Sequence, residues 1–170
     1  NLHYLGREYL YYGRWDDCIR TLTRHLALPS AVWRDERAAS MRYIARAHAQ
    51  KGERDEARDW YLRAAAEAPH LREPWVDLAM LLYEDQEWDG VLYATTCALK
   101  IRERPRTYIC EAEAWGGLPH DLRCQAYYHT GRLPQALEEA RLALAAAPSD
   151  HRLAGNAELL EKMAGLAGEL

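Results

Sequence analysis

Residues 41–69 carry a pattern of large and small side chains that fits two antiparallel helices joined by a turn. Ala45 and Ala57 are small where the two backbones would cross, and Gly52 lies between them at the turn. Larger side chains recur at helical spacing and would fill the gaps between neighbouring pairs. One such pair cannot bury its own apolar face, so the pattern predicts further pairs on either side.

The pattern returns along the chain and resembles the tetratricopeptide repeat, in which a tryptophan or other large residue, a small residue, a turn glycine and a closing proline recur about every 34 residues. The resemblance implies an all-α, right-handed superhelix that works as a protein-interaction scaffold without catalysis of its own. The predicted small residues are Gly6, Ala45, Ala79 and Cys124, and the predicted turn residues are Gly13, Gly52, Gln86 and Gly131.

We predict a single domain over residues 1–170. Its four helix pairs lie at about 1–29, 33–69, 72–103 and 119–148, with a short helix in an insertion at 104–118 and a capping helix at 150–164. Trp75 and Trp88 place the predicted centre of the core in the third pair. Because the chain begins at Asn1 within the first amphipathic pattern, we expect it to be a piece of a longer protein.

The composition argues against nucleic-acid binding and against a membrane span. The net charge is -4, and the mildly basic first fifty residues lack the dense basic stripe that nucleic acids require. No apolar run approaches eighteen residues. The four cysteines show no metal-site or disulfide spacing, so they predict free thiols in a reducing compartment, and we expect a cytoplasmic protein without a cofactor.

The sequence carries no recognisable catalytic pattern. The serines Ser30, Ser40 and Ser149 lack the sequence context of a nucleophile, and no glycine-rich phosphate loop occurs. Acid-x-acid pairs such as Glu87 with Asp89 and Glu111 with Glu113 could suggest a metal, but we interpret the first pair as helix-start acids and the second as solvated charges. The sequence therefore predicts neither an enzyme nor a metal site.

The concave surface of a helical stack is the alternative place for function, because the first helix of every pair faces it. By repeat position, His3 and Val76 would also lie there. We predict a partner-binding groove lined by ten further residues: Arg7, Tyr11, Arg42, Arg46, Gln50, Met80, Tyr83, Asp121, Gln125 and Tyr128.

Arg42 and Arg46 lie four residues apart on one helical face, where like charges repel. One hypothesis is that they grip a carboxylate or phosphate of a partner. The other, which we favour, is that Glu73 or Asp77 of the next pair neutralises them.

The segments between the repeats resemble the helical region that follows the catalytic domain of many bacterial and phage family 2 glycosyltransferases. The likeness lies in R-E-P-W-V-D-L-A, A-L-K-I-R-E-R-P, A-W-G-G-L-P-H-D-L and P-S-D-H-R-L-A-G-N. In its most specific part, Trp115, Gly116, Pro119 and Asp121 match and would shape the corner between the third and fourth pairs. The chain has no Asp-x-Asp motif and no predicted parallel sheet, so no catalytic residue carries over.

Two interpretations of function follow. In the first, the module belongs to a glycosyltransferase and packs on the catalytic domain, recruits an acceptor or forms homo-oligomers. In the second, it is a stand-alone adaptor that binds a partner peptide in its concave groove.

Overall fold

The computed structural model describes residues 1–168, with side chains described as far as residue 166. Within this range the chain is helical, no strand occurs, and the predicted all-α class is confirmed. The helices are α1 Leu2–Tyr11, α2 Trp15–Leu26, α3 Arg34–Gln50, α4 Arg54–Glu67, α5 Glu73–Glu84, α6 Trp88–Lys100, α7 Leu118–His129, α8 Leu133–Ala146 and α9 His151–Gly168.

The helices pack as consecutive pairs, α1 with α2, α3 with α4, α5 with α6 and α7 with α8, and each pair contacts the next. Residues 101–117 connect α6 to α7, and we call them the inserted segment. The helix predicted there is reduced to one 3-10 turn, Ala112–Trp115, and the remainder is irregular. Because this segment contacts α7 and earlier pairs, it lies against the stack instead of looping away from it.

Each turn within a pair requires one residue in the left-handed backbone region. Gly13, Gly52 and Gly131 have φ of 69°, 80° and 73°, and Gln86 has φ 58° at the equivalent place. Glycine adopts this region without steric cost, whereas other residues are strained by their Cβ atom. The turn from α5 to α6 therefore has the same backbone geometry, but glutamine occupies the position that suits glycine.

The small residues occupy the helix crossings, as the repeat pattern predicts. A Cβ atom on Gly6 would lie 2.3 Å from Cδ2 of Leu22, so α1 and α2 could not approach each other as they do. Ala45, Ala79 and Cys124 are all buried. Close approach at these points lets the larger residues between pairs interdigitate.

The core runs through the stack as successive clusters, each shared between neighbouring pairs. The prediction that Trp75 and Trp88 mark its centre is wrong, because both indoles are only half-buried and pack at the edges of their clusters. The bulkiest fully buried side chain is instead Arg42. A charged side chain is thus fully buried in the interior, where it needs partners.

Helix α9 closes the stack on α8. Asp150 caps its N-terminus, since its Oδ1 accepts hydrogen bonds from the backbone N–H groups of Arg152 (2.9 Å) and Leu153 (3.2 Å). The helix continues to Gly168, past the predicted end at residue 164, and residues 169–170 lie outside the described part. None of the helices in residues 1–168 has the length and apolarity needed to cross a bilayer.

Candidate functional site

An open groove of about 820 Å³ runs along the concave side of the first three pairs. Its wall is formed by the helices α1 to α5, by the inserted segment and by the first turn of α7. Its lining mixes apolar and polar groups, as sites for protein segments commonly do. The side chains that line it are Leu10, Tyr11, Trp15, Arg46, Ala49, Gln50, Arg54, Tyr61, Asp77, Met80, Leu81, Glu84, Glu111, Glu113 and Leu118.

Four of the predicted residues line this groove: Tyr11, Arg46, Gln50 and Met80. The structure does not place the other six along its wall. Arg7 lies over the rings of Tyr4 and Tyr11, Arg42 is fully buried, and Tyr83 packs edge-on against Trp88. Asp121, Gln125 and Tyr128 line smaller clefts towards α9.

The repeat position also places His3 and Val76 on the concave surface, and this is wrong for both. They are 1% and 3% exposed, because they pack into the interior between helices. The continuous groove predicted across four pairs is likewise replaced by a groove on the first three pairs and separate clefts beyond it.

The two arginines of α3 are held by acids of this chain. Asp77 Oδ2 accepts hydrogen bonds from the Nε atoms of Arg42 (2.9 Å) and Arg46 (3.2 Å), and its Oδ1 accepts from Nη2 of Arg46 at 3.0 Å. Glu111 Oε2 lies 3.0 Å from Nη2 of Arg42 and 2.9 Å from Nη2 of Arg46. Two positive and two negative groups therefore neutralise one another, and we call these four residues the charged network.

The charges of this network are strongly favoured in the folded protein. Burial alone would raise the pKa of Asp77, but Arg42 and Arg46 outweigh it and hold that pKa below its usual value. Burial likewise opposes the charge on each arginine, yet Asp77 and Glu111 raise both guanidinium pKa values. Asp77, Arg42 and Arg46 are consequently ionised at neutral pH.

The inserted segment supplies one member of the charged network, so the interpretation of Glu111 as a solvated charge is wrong. Its backbone N–H donates to Oε1 of Glu73 at 2.9 Å, and Nε1 of Trp115 donates to the same oxygen at 2.9 Å. Of the two acids expected to neutralise the arginines, Asp77 does so. Glu73 instead fastens the inserted segment.

A neutral network joins the first two pairs. Nδ1 of His3 and Nδ1 of His25 lie 2.8 Å and 2.9 Å from Oγ of Ser40, and Nε2 of His25 lies 3.2 Å from Oε1 of Glu36. The hydroxyl of Tyr108, in the inserted segment, donates to Oε2 of Glu36 at 3.0 Å. We call these five residues the neutral network.

The neutral network contains the residue types of a serine hydrolase triad in Ser40, His25 and Glu36. Ser40, however, has no exposed surface, so no substrate can reach its hydroxyl. Burial lowers the pKa of His3 to about 4, which keeps its ring neutral at pH 7. One arrangement then gives each of these hydrogen bonds one donor and one acceptor: His3 donates to Ser40, Ser40 donates to Nδ1 of His25, and Nε2 of His25 donates to Glu36. The network is part of the packing.

The buried thiols of Cys18 and Cys124 are unreactive for the same reason. The pKa of Cys18 is raised to about 12 and that of Cys124 to about 11, chiefly because burial disfavours the thiolate. All four cysteines are free. Among the described residues no group of three or more histidines, cysteines and acids could hold a metal ion.

The repeat pattern missed the groove residues that do not belong to the first helix of a pair. Trp15, Arg54 and Tyr61 come from second helices, and Glu111 and Glu113 from the inserted segment. The acid-x-acid spacing at Glu111 and Glu113 was the one available signal. It pointed to a metal instead of to the arginines of α3.

The concave groove is more acidic than basic. Of its six charged residues, Arg46 and Arg54 are basic, and both are already paired, Arg54 with Glu84 and Asp85. Four are acidic, and among the described residues Glu113 has no ion-pair partner. A partner carboxylate would therefore meet paired arginines and surplus negative charge.

A second cavity of about 660 Å³ lies between α8 and α9. Leu133, Leu137, Leu142 and Ala164 supply most of its wall, with Glu138 and Arg141 at the side. It offers few polar groups to orient a partner. The concave groove, where apolar and charged groups converge, is the better candidate site.

No protein-family model and no curated protein matches the chain. Solved structures do. A crystal structure of MamA has a TM-score of 0.72 at 15% identity, covering 96% of this chain and 86% of that one. MamA of MSR-1 has a TM-score of 0.66 at 17% identity, covering 99% and 87%.

The structure of PilF from Pseudomonas aeruginosa is also similar, with a TM-score of 0.63 at 10% identity. It covers 95% of this chain and 65% of that one. MamA and PilF are helical-repeat proteins, and at such low identity the likeness concerns the fold alone. The chain has the all-α, right-handed superhelical fold of tetratricopeptide-repeat proteins.

Proposed function

We propose that the chain is a non-catalytic protein-interaction module whose concave groove binds a segment of a partner protein that carries basic and apolar side chains. The observation that supports this most directly is the open groove of about 820 Å³. Extended or helical protein segments commonly bind in such grooves, with a few side chains as anchors.

The choice of a basic, apolar segment follows from the charges. Glu84 and Glu113 leave the groove rim negative, because the arginines beside them are shared with other acids. Tyr11, Trp15 and Met80 offer apolar contact surface, and methionine adapts its shape to different partners. Lysine or arginine residues of the partner would meet the rim acids while its apolar residues cover these three side chains.

The three methionines provide a direct test. Met80 is partly exposed in the groove, Met41 is buried in the core, and Met163 packs in the last cluster. We would label the methionine methyl groups with ¹³C and titrate the protein with a peptide of alternating leucine and lysine, about twelve residues long. The Met80 resonance should shift, whereas those of Met41 and Met163 should not. A leucine and glutamate peptide of equal length should leave all three unchanged.

Charge reversal locates the binding. The double variant Glu84→Lys, Glu113→Lys should bind the lysine peptide about tenfold or more weakly than the wild type, because it reverses the rim charge. The matched control, Glu158→Lys with Glu161→Lys, makes the same change on α9 and should alter the affinity by less than about twofold. Equal weakening in both variants, or a shift with the glutamate peptide, would contradict the proposal.

The identity of the partner is a finer question. The sequence likeness to the helical region of family 2 glycosyltransferases supports a partner within the same enzyme or a second copy of it, with the chain acting in domain packing, acceptor recruitment or oligomerisation. The groove alone supports the alternative, a stand-alone adaptor for a peptide. A coding sequence before Asn1 that contains Asp-x-Asp would favour the first and contradict the second. The four free cysteines, two of them buried, support a reducing, cytoplasmic setting.

A further inference from the structure

Almost all arginines of the described part have a partner within the chain. They form ion pairs, hydrogen bonds or contacts with aromatic rings, and the exceptions are Arg24 and three arginines of the inserted segment, Arg102, Arg104 and Arg106. These three lie at alternate positions and are exposed. Within five residues the chain therefore presents three guanidinium groups with no protein acceptor.

Aromatic side chains lie beside two of these arginines. Arg104 and Arg106 border an open depression of about 550 Å³ together with Tyr108, whose ring is exposed. The ring of Tyr4 stacks on Tyr108 at 6.4 Å, and the ring of Trp33 meets it edge-on at 5.4 Å. Tyr4 and Trp33 are exposed as well. The three rings form an apolar surface beside Arg104 and Arg106, and Arg102 precedes these two in the same exposed stretch. We call the six residues the aromatic-arginine patch.

The patch is fixed to the stack at both ends. The Ile101 carbonyl accepts a hydrogen bond from Nε of Arg72 at 2.7 Å, and the hydroxyl of Tyr108 is bonded to Glu36. Ile109, directly after Tyr108, is buried in the first core cluster. A partner therefore meets an ordered surface, and little conformational entropy is lost on binding.

We propose that the aromatic-arginine patch is a second interaction surface, separate from the concave groove, and that it binds an acidic segment of a partner protein with an apolar anchor. Guanidinium groups bind carboxylates through two parallel hydrogen bonds, and aromatic rings bind an apolar side chain next to them. Nucleic acid fits less well, because Glu103 interrupts the arginines and the chain carries a net charge of -4.

Calorimetric titration with a peptide of about twelve residues, glutamates around a central phenylalanine, tests this. We expect the triple variant R102E, R104E and R106E to bind it about tenfold or more weakly than the wild type. The control variant R24E, R63E and R132E carries the same charge change on other exposed arginines and should bind within about threefold of the wild type. Trp33→Ala should also weaken binding of the peptide, because it removes part of the apolar surface.

Folding is checked by urea unfolding, where the triple variant should match the wild type because its arginines have no partners to lose. The groove variant Glu84→Lys, Glu113→Lys should still bind the acidic peptide. This result would show that the patch binds independently of the concave groove. The proposal is overturned if the peptide does not bind, if the control variant loses as much affinity as the triple variant, or if a single-stranded RNA of about twelve nucleotides binds more tightly than the peptide.

Discussion

The charged and the neutral network both fasten the inserted segment to the helix pairs, yet they depend on opposite protonation states. The charged network needs its acids ionised, and the pKa of Asp77 is held below its usual value of 3.8. The neutral network needs His3 uncharged. As the pH falls below 6.5, His3 takes up a proton in the unfolded chain before it does so in the folded protein, so the folded protein loses stability. Two nearby residues of one segment, Tyr108 and Glu111, are thus held by contacts that fail in different pH ranges.

The largest effect is expected in the charged network. Asp77→Asn leaves the fully buried Arg42 with Glu111 as its remaining acid, so the free energy of unfolding should fall by about 3 kcal/mol in urea denaturation. Asp89→Asn is the control, because Asp89 is exposed and 3.6 Å from Arg132, and it should cost less than about 0.5 kcal/mol. Equal effects would mean that burial does not set the strength of these pairs.

A smaller loss is expected in the neutral network. Ser40→Ala removes the hydroxyl between two buried imidazoles, and each keeps a ring nitrogen without a partner. We expect a loss of about 2 kcal/mol in the free energy of unfolding at pH 7. The exposed Ser149, changed to alanine, should have almost no effect. A Ser40→Ala variant as stable as the wild type would show that the hydroxyl is not needed between the rings.

The pH dependence separates the two networks. Because the pKa of His3 is about 4 in the folded protein and near 6.5 unfolded, its contribution is complete above pH 6.5 and is lost as the pH falls towards 4. The slope should be about 1 kcal/mol per pH unit. In His3→Leu this slope should flatten, although His25, Glu36 and Arg7 remain nearby. The stabilisation from Asp77 should be complete above pH 3.8 and be lost only as the pH falls below that value. Identical slopes in both proteins would remove His3 as the cause.

The turn between α5 and α6 lies outside both networks and gives a baseline for a purely local change. Gln86→Gly relieves a left-handed backbone and should raise the free energy of unfolding by about 0.5 to 1 kcal/mol. Gly52→Ala is the reverse change at an equivalent turn with open space around it, so it should lower stability by a similar amount. If neither change alters the free energy of unfolding, a left-handed backbone at these turns does not favour glycine.

The repeats could be predicted from the sequence because local rules determine them. Gly6 and Gly52 are required by a helix crossing and by a turn, and each is visible in a short window. The role of Glu111 could not be predicted in this way, since the arginine it meets is 65 residues away and the inserted segment follows no repeat. The burial of Arg42 was hidden for a similar reason, because helical spacing assigns a face but does not identify the acids that cover it.

The central claim is that the inserted segment forms a fixed wall of the groove through Glu111. A double-mutant cycle with Arg46→Gln and Glu111→Gln, measured by urea unfolding, tests it most directly. Both side chains are partly exposed, so we expect a favourable coupling energy of about 0.5 to 1 kcal/mol. A coupling energy of zero would mean that the inserted segment does not hold the arginines, and the acidic groove derived from that contact would no longer stand.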